Sequence, residues 1–335
     1  MGRIGPGIRR TRRLKRDSAV STPGVRVTRN LQYGTGLIHV SRKPIERALC
    51  LDVYEPDAAW REPSRPALIM AFGGAFHRGS KESDEFGDDG GRNTPVSEYC
   101  RSFARRGFAA FSIDYRLVQE DPDPGNSPVI LDRNDIPLSR VDYVRKLLGL
   151  GPASSDMIWA GMEAACDDMV KAFAFVQANA ARFCVDPDRI AVGGFSAGAR
   201  TALAAAYGER IPVAAVVSLS GYMSRADLER HVTGAPDEPP ALLVSSEFDL
   251  DYIARQADPM RAHFGSRGSL CEAWWVPRAN HFYPSHSVAR RTDGKTATVE
   301  EAMGVFLEHA LHGRSRSGRR APARSTPAGF QAPRR

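Results

Sequence analysis

Residues 189–207, RIAVGGFSAGARTALAAAY, decide the fold because they join two patterns of different period. The apolar run before the glycines predicts a buried strand, and the alanine-rich segment after Ser196 predicts a helix. Gly193, Gly194 and Gly198 surround this serine at the junction. Packing alone does not explain a small hydroxyl between glycines, so the junction is a candidate for chemistry.

Strand-like apolar runs recur along the chain and alternate with helical patterns. Several runs are continuously apolar, which is typical of strands buried on both faces. The alternation predicts an α/β fold with a mostly parallel sheet flanked by helices. GLIHVSR (36–42) and LCLDVYEP (49–56) are expected to form an antiparallel edge. The strand-like runs are 48–56, 66–74, 107–115, 189–195, 213–221, 240–247 and 271–278, and the helical patterns are 94–106, 156–182, 197–208, 251–264 and 297–311.

The composition is that of a globular protein. The chain has 335 residues, 42% hydrophobic and 25% charged, which suits one large or two small domains. No apolar run reaches the roughly 20 residues of a membrane span, and no apolar segment follows the basic N-terminus, so neither a span nor a secretory signal is expected. Five scattered cysteines without a Cys-x-x-Cys or Cys/His cluster favour reduced thiols, a cytoplasmic location and no metal site.

The net charge of +7 resides in the two ends of the chain. Residues 1–30 carry +8 and residues 313–335 carry +7, which leaves −8 on residues 31–312. Both ends are rich in Arg, Pro, Gly and Ser, so we predict disordered tails around one folded domain at 31–312. We interpret the tails as solvated and do not expect nucleic acid as a partner, although contact with an anionic surface is the alternative. The oligomeric state is not indicated.

About 40 residues between Arg116 and Asp156 interrupt the alternation. They contain EDPDPGNSP and a short helical pattern, LSRVDYVRKLLGLG. Loops of this length are usually functional or disordered. We expect residues 117–155 to form a partial lid over the strand ends, and a surface excursion without a role is the alternative.

Gly194 to Gly198 read G-x-S-x-G between a predicted strand and a predicted helix. A sharp strand-to-helix turn holds such a serine in a strained conformation with its hydroxyl exposed. The helix N-terminus also places free amides and a positive dipole end near a developing anion. Ser196 is therefore the candidate nucleophile, and the alternative is a helix-capping serine between packing glycines.

A serine nucleophile needs a base, and the base needs an orienting acid. His281 alone among the histidines lies just beyond the last predicted strand, and we assign it as the base. Three acids follow the preceding strand. We favour Asp249, which lies far enough past the strand for a loop to swing it under the imidazole. Glu247 is close to the strand, and Asp251 is expected to begin the next helix, where an acid stabilises the N-terminus without a catalytic role.

The loop after the second core strand is expected to supply amides to an oxyanion. It reads FGGAF at 72–76. We assign the amides of Gly74 and Ala75, together with that of Ala197 behind the nucleophile. Phe76 and His77 are expected to line the substrate pocket, and a plain tight turn is the alternative for this loop.

Four stretches resemble α/β-hydrolases of the carboxylesterase and hormone-sensitive-lipase type: LDVYEP, FGGAFHRGSK, FARRGFAAFSIDYRL and ACDDMVKAFAFVQANAARFCVDPDRIAVGGFSAGA. The resemblance covers roughly residues 45–312. It implies an eight-stranded sheet, hydrolysis of a small-molecule carboxylic ester through an acyl-enzyme, and no cofactor. It also assigns Ser196, Asp249 and His281 as the triad.

The chain departs from these relatives at three positions. Phe72 and Ala75 stand where many of them have His and a third Gly, and Arg200 follows the elbow where a small residue is common. Arg200 faces solvent or binds an acidic substrate group, and the sequence does not decide between the two. Two other functions stay open: an amidase, peptidase, transacylase or cyclase with the same triad, and a catalytically dead binding protein.

Overall fold

The structure is a computed structural model that describes residues 24–57, 64–87, 90–125, 128–133 and 136–312. The predicted tail at 313–335 and the first 23 residues of the predicted tail at 1–30 lie outside the described residues.

Strand β1 (Val25–Ile38) corrects the predicted start of the folded domain at residue 31. It pairs antiparallel with β2 (Ile45–Pro56) from its first residue onward. Val25 and Val27 pack against the core, while Arg26 between them donates to Glu55 over 2.9 Å. Arg26, which lies within the predicted tail, thus belongs to the outward-facing positions of an alternating strand.

Eight further strands follow along the chain: β3 (Arg65–Ala71), β4 (Ala109–Ile113), β5 (Val185–Phe195), β6 (Ala215–Leu219), β7 (Ala241–Phe248), β8 (Cys271–Asn280), β9 (Val288–Arg291) and β10 (Thr296–Thr298). In the described residues the ten strands form one sheet in the order β1-β2-β4-β3-β5-β6-β7-β8-β9-β10. The six strands from β4 to β8 run parallel, and the strands at both edges run antiparallel. The predicted α/β class, the mostly parallel sheet and its antiparallel first edge are confirmed. The sheet is two strands wider than the expected eight because short β9 and β10 extend it beyond β8.

Helices cover both faces of this sheet; they are α1 (Val96–Arg105), α2 (Leu138–Leu147), α3 (Ser155–Ala178), α4 (Ala197–Leu203), α5 (Arg225–His231), α6 (Asp251–Arg267) and α7 (Val299–His312). Every residue of β3, β4 and β6 is buried, as their continuous apolar sequences require. Right-handed crossovers put α1 on the face opposite to α3–α6. Helix α7 lies on the same face as α1, and Arg106 at the end of α1 donates to Glu300 of α7 over 3.1 Å. None of the helices in the described ranges is long and apolar enough to cross a membrane.

The chain reverses its direction across the sheet between β3 and β5. Helix α1 leads from β3 to β4 on one side, and α4 leads from β5 to β6 on the other, while β3 and β5 pair directly with Ala71 opposite Gly194. The carboxyl ends of parallel strands at such a reversal open a crevice that binds ligands. The turns after β3 and β5 therefore lie side by side at this crevice.

The described part of the 117–155 insertion packs against α3. The Glu163 carboxylate accepts from the amides of Val129 (3.0 Å) and Ile130 (2.7 Å). The Trp159 indole donates to the Ile130 carbonyl over 3.0 Å. These bonds attach the insertion to the body of the domain, and its role as a lid stays a prediction.

Candidate active site

Ser196 occupies a sharp turn between β5 and α4. Its backbone has φ 53° and ψ −114°, a left-handed conformation that is costly for a non-glycine residue. The Ser196 amide donates to the carbonyl of Leu219 on β6 over 2.8 Å, and the Ser196 carbonyl accepts from Arg200 over 3.0 Å. The turn is thus anchored to the neighbouring strand and to the helix that follows it.

Glycine is required on both sides of this serine because the turn lies against β3. A Cβ atom on Gly194 would lie 2.3 Å from the carbonyl carbon of Gly198. A Cβ on Gly198 would lie 2.0 Å from the carbonyl oxygen of Ala71. Both contacts are with backbone that a side-chain rotation cannot move, so the G-x-S-x-G pattern reports close packing of three backbone segments.

His281 and Asp249 complete a hydrogen-bonded chain that begins at Ser196. His281 Nε2 lies 2.9 Å from Ser196 Oγ, and His281 Nδ1 lies 2.6 Å from Asp249 Oδ1. Asp249 follows the end of β7 and His281 follows the end of β8. Both side chains are buried, so little water competes for these bonds.

The Asp249 carboxylate accepts three further hydrogen bonds. Ser220 Oγ donates over 2.6 Å, the Ser246 amide over 3.1 Å and the Leu250 amide over 2.9 Å. Burial raises the pKa of Asp249, but the facing His281 and these donors outweigh burial and leave the pKa below its ordinary value. Asp249 is therefore charged at neutral pH and can hold the imidazole.

Ser220 was not anticipated from the sequence. It directly follows β6 in a left-handed conformation with φ 50°, and its hydroxyl also lies 3.0 Å from the Tyr283 hydroxyl. The signal available in the sequence was a polar residue at the end of a predicted buried strand, one strand away from the nucleophile.

The other two candidate acids lie away from His281. Glu247 is exposed and accepts from the backbone amide of Arg278 over 2.7 Å. Asp251 is exposed in the first turn of α6, where a carboxylate stabilises the helix dipole.

The loop after β3 has three consecutive residues with positive φ. Gly74 has φ 117°, Ala75 56° and Phe76 60°. A Cβ on Gly74 would lie 2.0 Å from the carbonyl oxygen of Arg78, so glycine is required there. Ala75 and Phe76 carry side chains in a strained conformation, which the surrounding structure must hold.

His77 helps to keep this loop in its strained conformation and is not among the residues that line the cavity at Ser196, where it was predicted to lie. Its Nδ1 lies 2.7 Å from the Ala75 carbonyl oxygen, and its Nε2 lies 3.1 Å from Arg145 Nη1. Since a guanidinium only donates, Nε2 is the acceptor and the proton resides on Nδ1, which donates to Ala75. Burial lowers the pKa of His77, as does the Arg145 charge, so the ring is neutral. Arg145 lies in α2, inside the insertion, and sequence reasoning missed it.

A narrow cavity of about 30 Å³ opens at Ser196. Ala75, Phe76 and Ala197 line it, whereas Gly74 is outside the lining. The pocket role of Phe76 and the oxyanion roles of Gly74, Ala75 and Ala197 stay predictions. The insertion forms part of the wall, and the further lining residues include Pro137, Arg140, Val141, Arg200, Tyr222 and Tyr252. A wider groove of about 990 Å³ between residues 82–98 and 278–286 contains no triad residue.

No group of three or more His, Cys, Asp or Glu side chains in the described ranges is arranged to hold a metal ion. The expectation that the protein uses no metal or cofactor stays a prediction.

The BD-FAE family model matches residues 157–231, which run from α3 through the Ser196 turn to α5. This segment is less than a quarter of the chain. Among curated proteins, none matches the chain.

Solved structures match over most of the chain. Esterase 2 of the planctomycete Thermogutta terrifontis, phosphorylated by paraoxon, is 18% identical with a TM-score of 0.52, and the match covers 86% of this chain and 92% of that one. MGS-M1, an α/β-hydrolase enzyme from a deep-sea metagenome of the Medee basin, is 15% identical with a TM-score of 0.52, and the match covers 87% and 99%. Together with the strand order, these likenesses confirm the α/β-hydrolase fold.

Proposed function

We propose that this α/β-hydrolase cleaves small-molecule carboxylic esters through an acyl-enzyme on Ser196. The observation that carries the proposal is the unbroken hydrogen-bonded chain from Ser196 through His281 to Asp249 at the mouth of a cavity. A capping or packing serine would not need a buried imidazole and a buried carboxylate behind it.

The reaction begins when Ser196 Oγ attacks the ester carbonyl while His281 Nε2 takes the hydroxyl proton. His281 then gives that proton to the leaving alcohol as the bond between the carbonyl carbon and the alcohol oxygen breaks. Asp249 accepts from Nδ1 throughout and stabilises the imidazolium. A water molecule, deprotonated by His281, then attacks the acyl carbon, and His281 returns the proton to Ser196 Oγ as the bond between Oγ and the acyl carbon breaks and the acid leaves.

The tetrahedral intermediates carry a negative oxygen that needs donors. Ala75 and Ala197 line the cavity beside Ser196, and we assign their backbone amides this role, with Gly74 as the third donor. Loss of one such donor typically costs on the order of 10²–10³ in turnover. The hydrogen bonds of His77 maintain the loop conformation that presents Ala75.

The comparisons support this chemistry without specifying the substrate. Paraoxon is an organophosphate, and the esterase of Thermogutta terrifontis carries its phosphoryl group. The narrow cavity, with a volume of about 30 Å³, favours a small acyl or alcohol part.

The experiment is labelling with a fluorophosphonate, with p-nitrophenyl acetate, butyrate and octanoate as substrates for the wild type and for Ser196→Ala. We expect labelling and acetate hydrolysis in the wild type, weaker activity on octanoate, and neither labelling nor activity in the variant. A folded wild-type protein that is neither labelled nor active on any of the esters would overturn the proposal. Hydroxylamine or an amine as competing acceptor, followed by mass spectrometry, separates ester hydrolysis from acyl transfer.

A further inference from the structure

Arg200 lies one helical turn beyond the nucleophile and borders the same cavity. Its amide donates to the Ser196 carbonyl, so the two residues are at positions i and i+4 of the turn and its helix. The residue is only 5% exposed, and solvent does not reach its terminal nitrogens. The solvent-facing alternative for this residue is therefore wrong.

The guanidinium of Arg200 lacks the acceptors that burial normally demands. Among the described residues, neither Nη1 nor Nη2 has a hydrogen-bond partner. Asp227 Oδ2 lies 3.6 Å from Nη2, which is an ion pair at a distance too long for a good hydrogen bond. The Tyr222 ring centroid lies 4.2 Å from the guanidinium carbon, which is a cation–π contact. Burying a charged donor without an acceptor lowers the stability of the fold, so we expect a ligand to supply the missing acceptor.

The charge around the cavity also favours an anion. Arg140, from the insertion, lines the cavity together with Arg200. Asp227 accepts from the Leu131 amide over 2.9 Å through its other oxygen, and Asp249 is held by His281. Arg140 and Arg200 thus both line the cavity, while Asp227 and Asp249 already accept hydrogen bonds from other groups of the protein.

We propose that the substrate is a short ester that carries a carboxylate, and that Arg200 binds this carboxylate while Ser196 attacks the ester. A guanidinium binds a carboxylate through two parallel hydrogen bonds, and Arg200 would form them by turning its terminal nitrogens, which lack a hydrogen-bond partner among the described residues, into the cavity. Ser196 and Arg200 line the same narrow cavity, so a few carbon atoms between carboxylate and ester suffice. This inference rests on the proposed function and names its substrate class. Arg200 takes no part in bond cleavage, and the substrate carboxylate leaves unchanged.

The test compares pairs of esters that differ only in charge. Monomethyl succinate against methyl succinamate places the carboxylate or its amide on the acyl side, and acetoxyacetate against acetoxyacetamide places it on the alcohol side. We expect the wild type to prefer the carboxylate member of at least one pair by about 100-fold in kcat/KM, the scale of charge-assisted hydrogen bonds. The pair that shows the preference identifies whether Arg200 binds a carboxylate on the acyl part or on the alcohol part of the ester.

The variants are Arg200→Gln, Arg200→Lys and, as a matched loss of charge, the exposed Arg225→Gln. Arg200→Gln should lower kcat/KM at least tenfold more for the carboxylate member than for the uncharged member, Arg200→Lys should keep part of the preference, and Arg225→Gln should resemble the wild type. Should Arg200→Gln fail to fold, competitive inhibition of the wild type by succinate but not by succinamide tests the same point.

Equal wild-type rates on both members of each pair, together with no inhibition by succinate, would overturn the inference. So would an equal loss on charged and uncharged esters in a folded Arg200→Gln. Either result leaves the esterase proposal intact if p-nitrophenyl acetate is still cleaved and Ser196 is still labelled. Absence of both would overturn the proposed function instead.

Discussion

Arg145 Nη1 lies 3.1 Å from His77 Nε2, and this hydrogen bond joins the insertion to the loop that carries Ala75. Both residues are buried. The insertion therefore supports the strained backbone beside the nucleophile as well as lining the cavity.

Arg145→Met is expected to lower kcat for p-nitrophenyl acetate by about 10-fold, a fraction of the loss caused by removing one oxyanion donor. The physical reason is that His77 loses the bond that fixes its tautomer and holds the Ala75 carbonyl. Steady-state kinetics measure the effect. Lys146→Gln, an exposed change on the same helix, is the control and should leave kcat unchanged, and an equal effect of both changes would contradict this role.

Asp249→Asn is expected to lower kcat by about 10⁴-fold because the amide favours the wrong imidazole tautomer. Glu247→Gln is the matched control. Its side chain is exposed and bonds the Arg278 amide, so its kcat should stay close to that of the wild type. Esterase assays at pH 7.5 compare the two variants. A severe loss in Glu247→Gln with a mild one in Asp249→Asn would reverse the assignment of the acid.

Gly198→Ala is expected to destabilise the fold by roughly 2–4 kcal/mol, since the new Cβ would lie 2.0 Å from the Ala71 carbonyl oxygen. Gly265→Ala offers the opposite case on α6, where a Cβ meets open space. That change should stabilise the fold by up to about 1 kcal/mol through helix propensity. Urea unfolding of the two variants against the wild type gives both values, and a stable, active Gly198→Ala would show that the turn can move away from β3.

Glu163 should make the fold less stable as the pH rises from about 4.5 to about 7. Burial raises the pKa of Glu163 from 4.5 to about 7, even though the Val129 and Ile130 amides bond the charged form. The folded state thus holds a proton that the unfolded state has lost, and the free energy of unfolding falls by up to about 3 kcal/mol across this range.

Glu163→Gln should remove this part of the pH dependence, because its amide oxygen can still accept from both backbone amides. Urea unfolding at pH 5 and pH 7.5 measures the difference. Asp84, whose pKa burial also raises to about 7, leaves a residual slope of the same sign in the variant. Identical slopes in wild type and variant would contradict the role of Glu163.

The sequence predicted those features whose signal is local. The positions of the candidate acid and base after successive strands, and the glycines around Ser196, are visible as short patterns in an alternating α/β chain. The residues it missed act over long sequence distances: Ser220 reaches Asp249 from another strand, and Arg145 reaches His77 from the insertion. The first residues of β1 were misassigned because an alternating strand with basic outward residues resembles a basic tail.

The pairing of Ala71 with Gly194 fixes the separation between the predicted oxyanion donors and the nucleophile through the main chain. Side chains outside this pairing can therefore be replaced without disturbing the geometry of attack. Selectivity, by contrast, is expected to depend on the insertion and on the arginines of the cavity, whose replacement leaves that pairing untouched. Laboratory evolution of a new substrate range should accordingly accumulate changes in the insertion and few in β3 or β5.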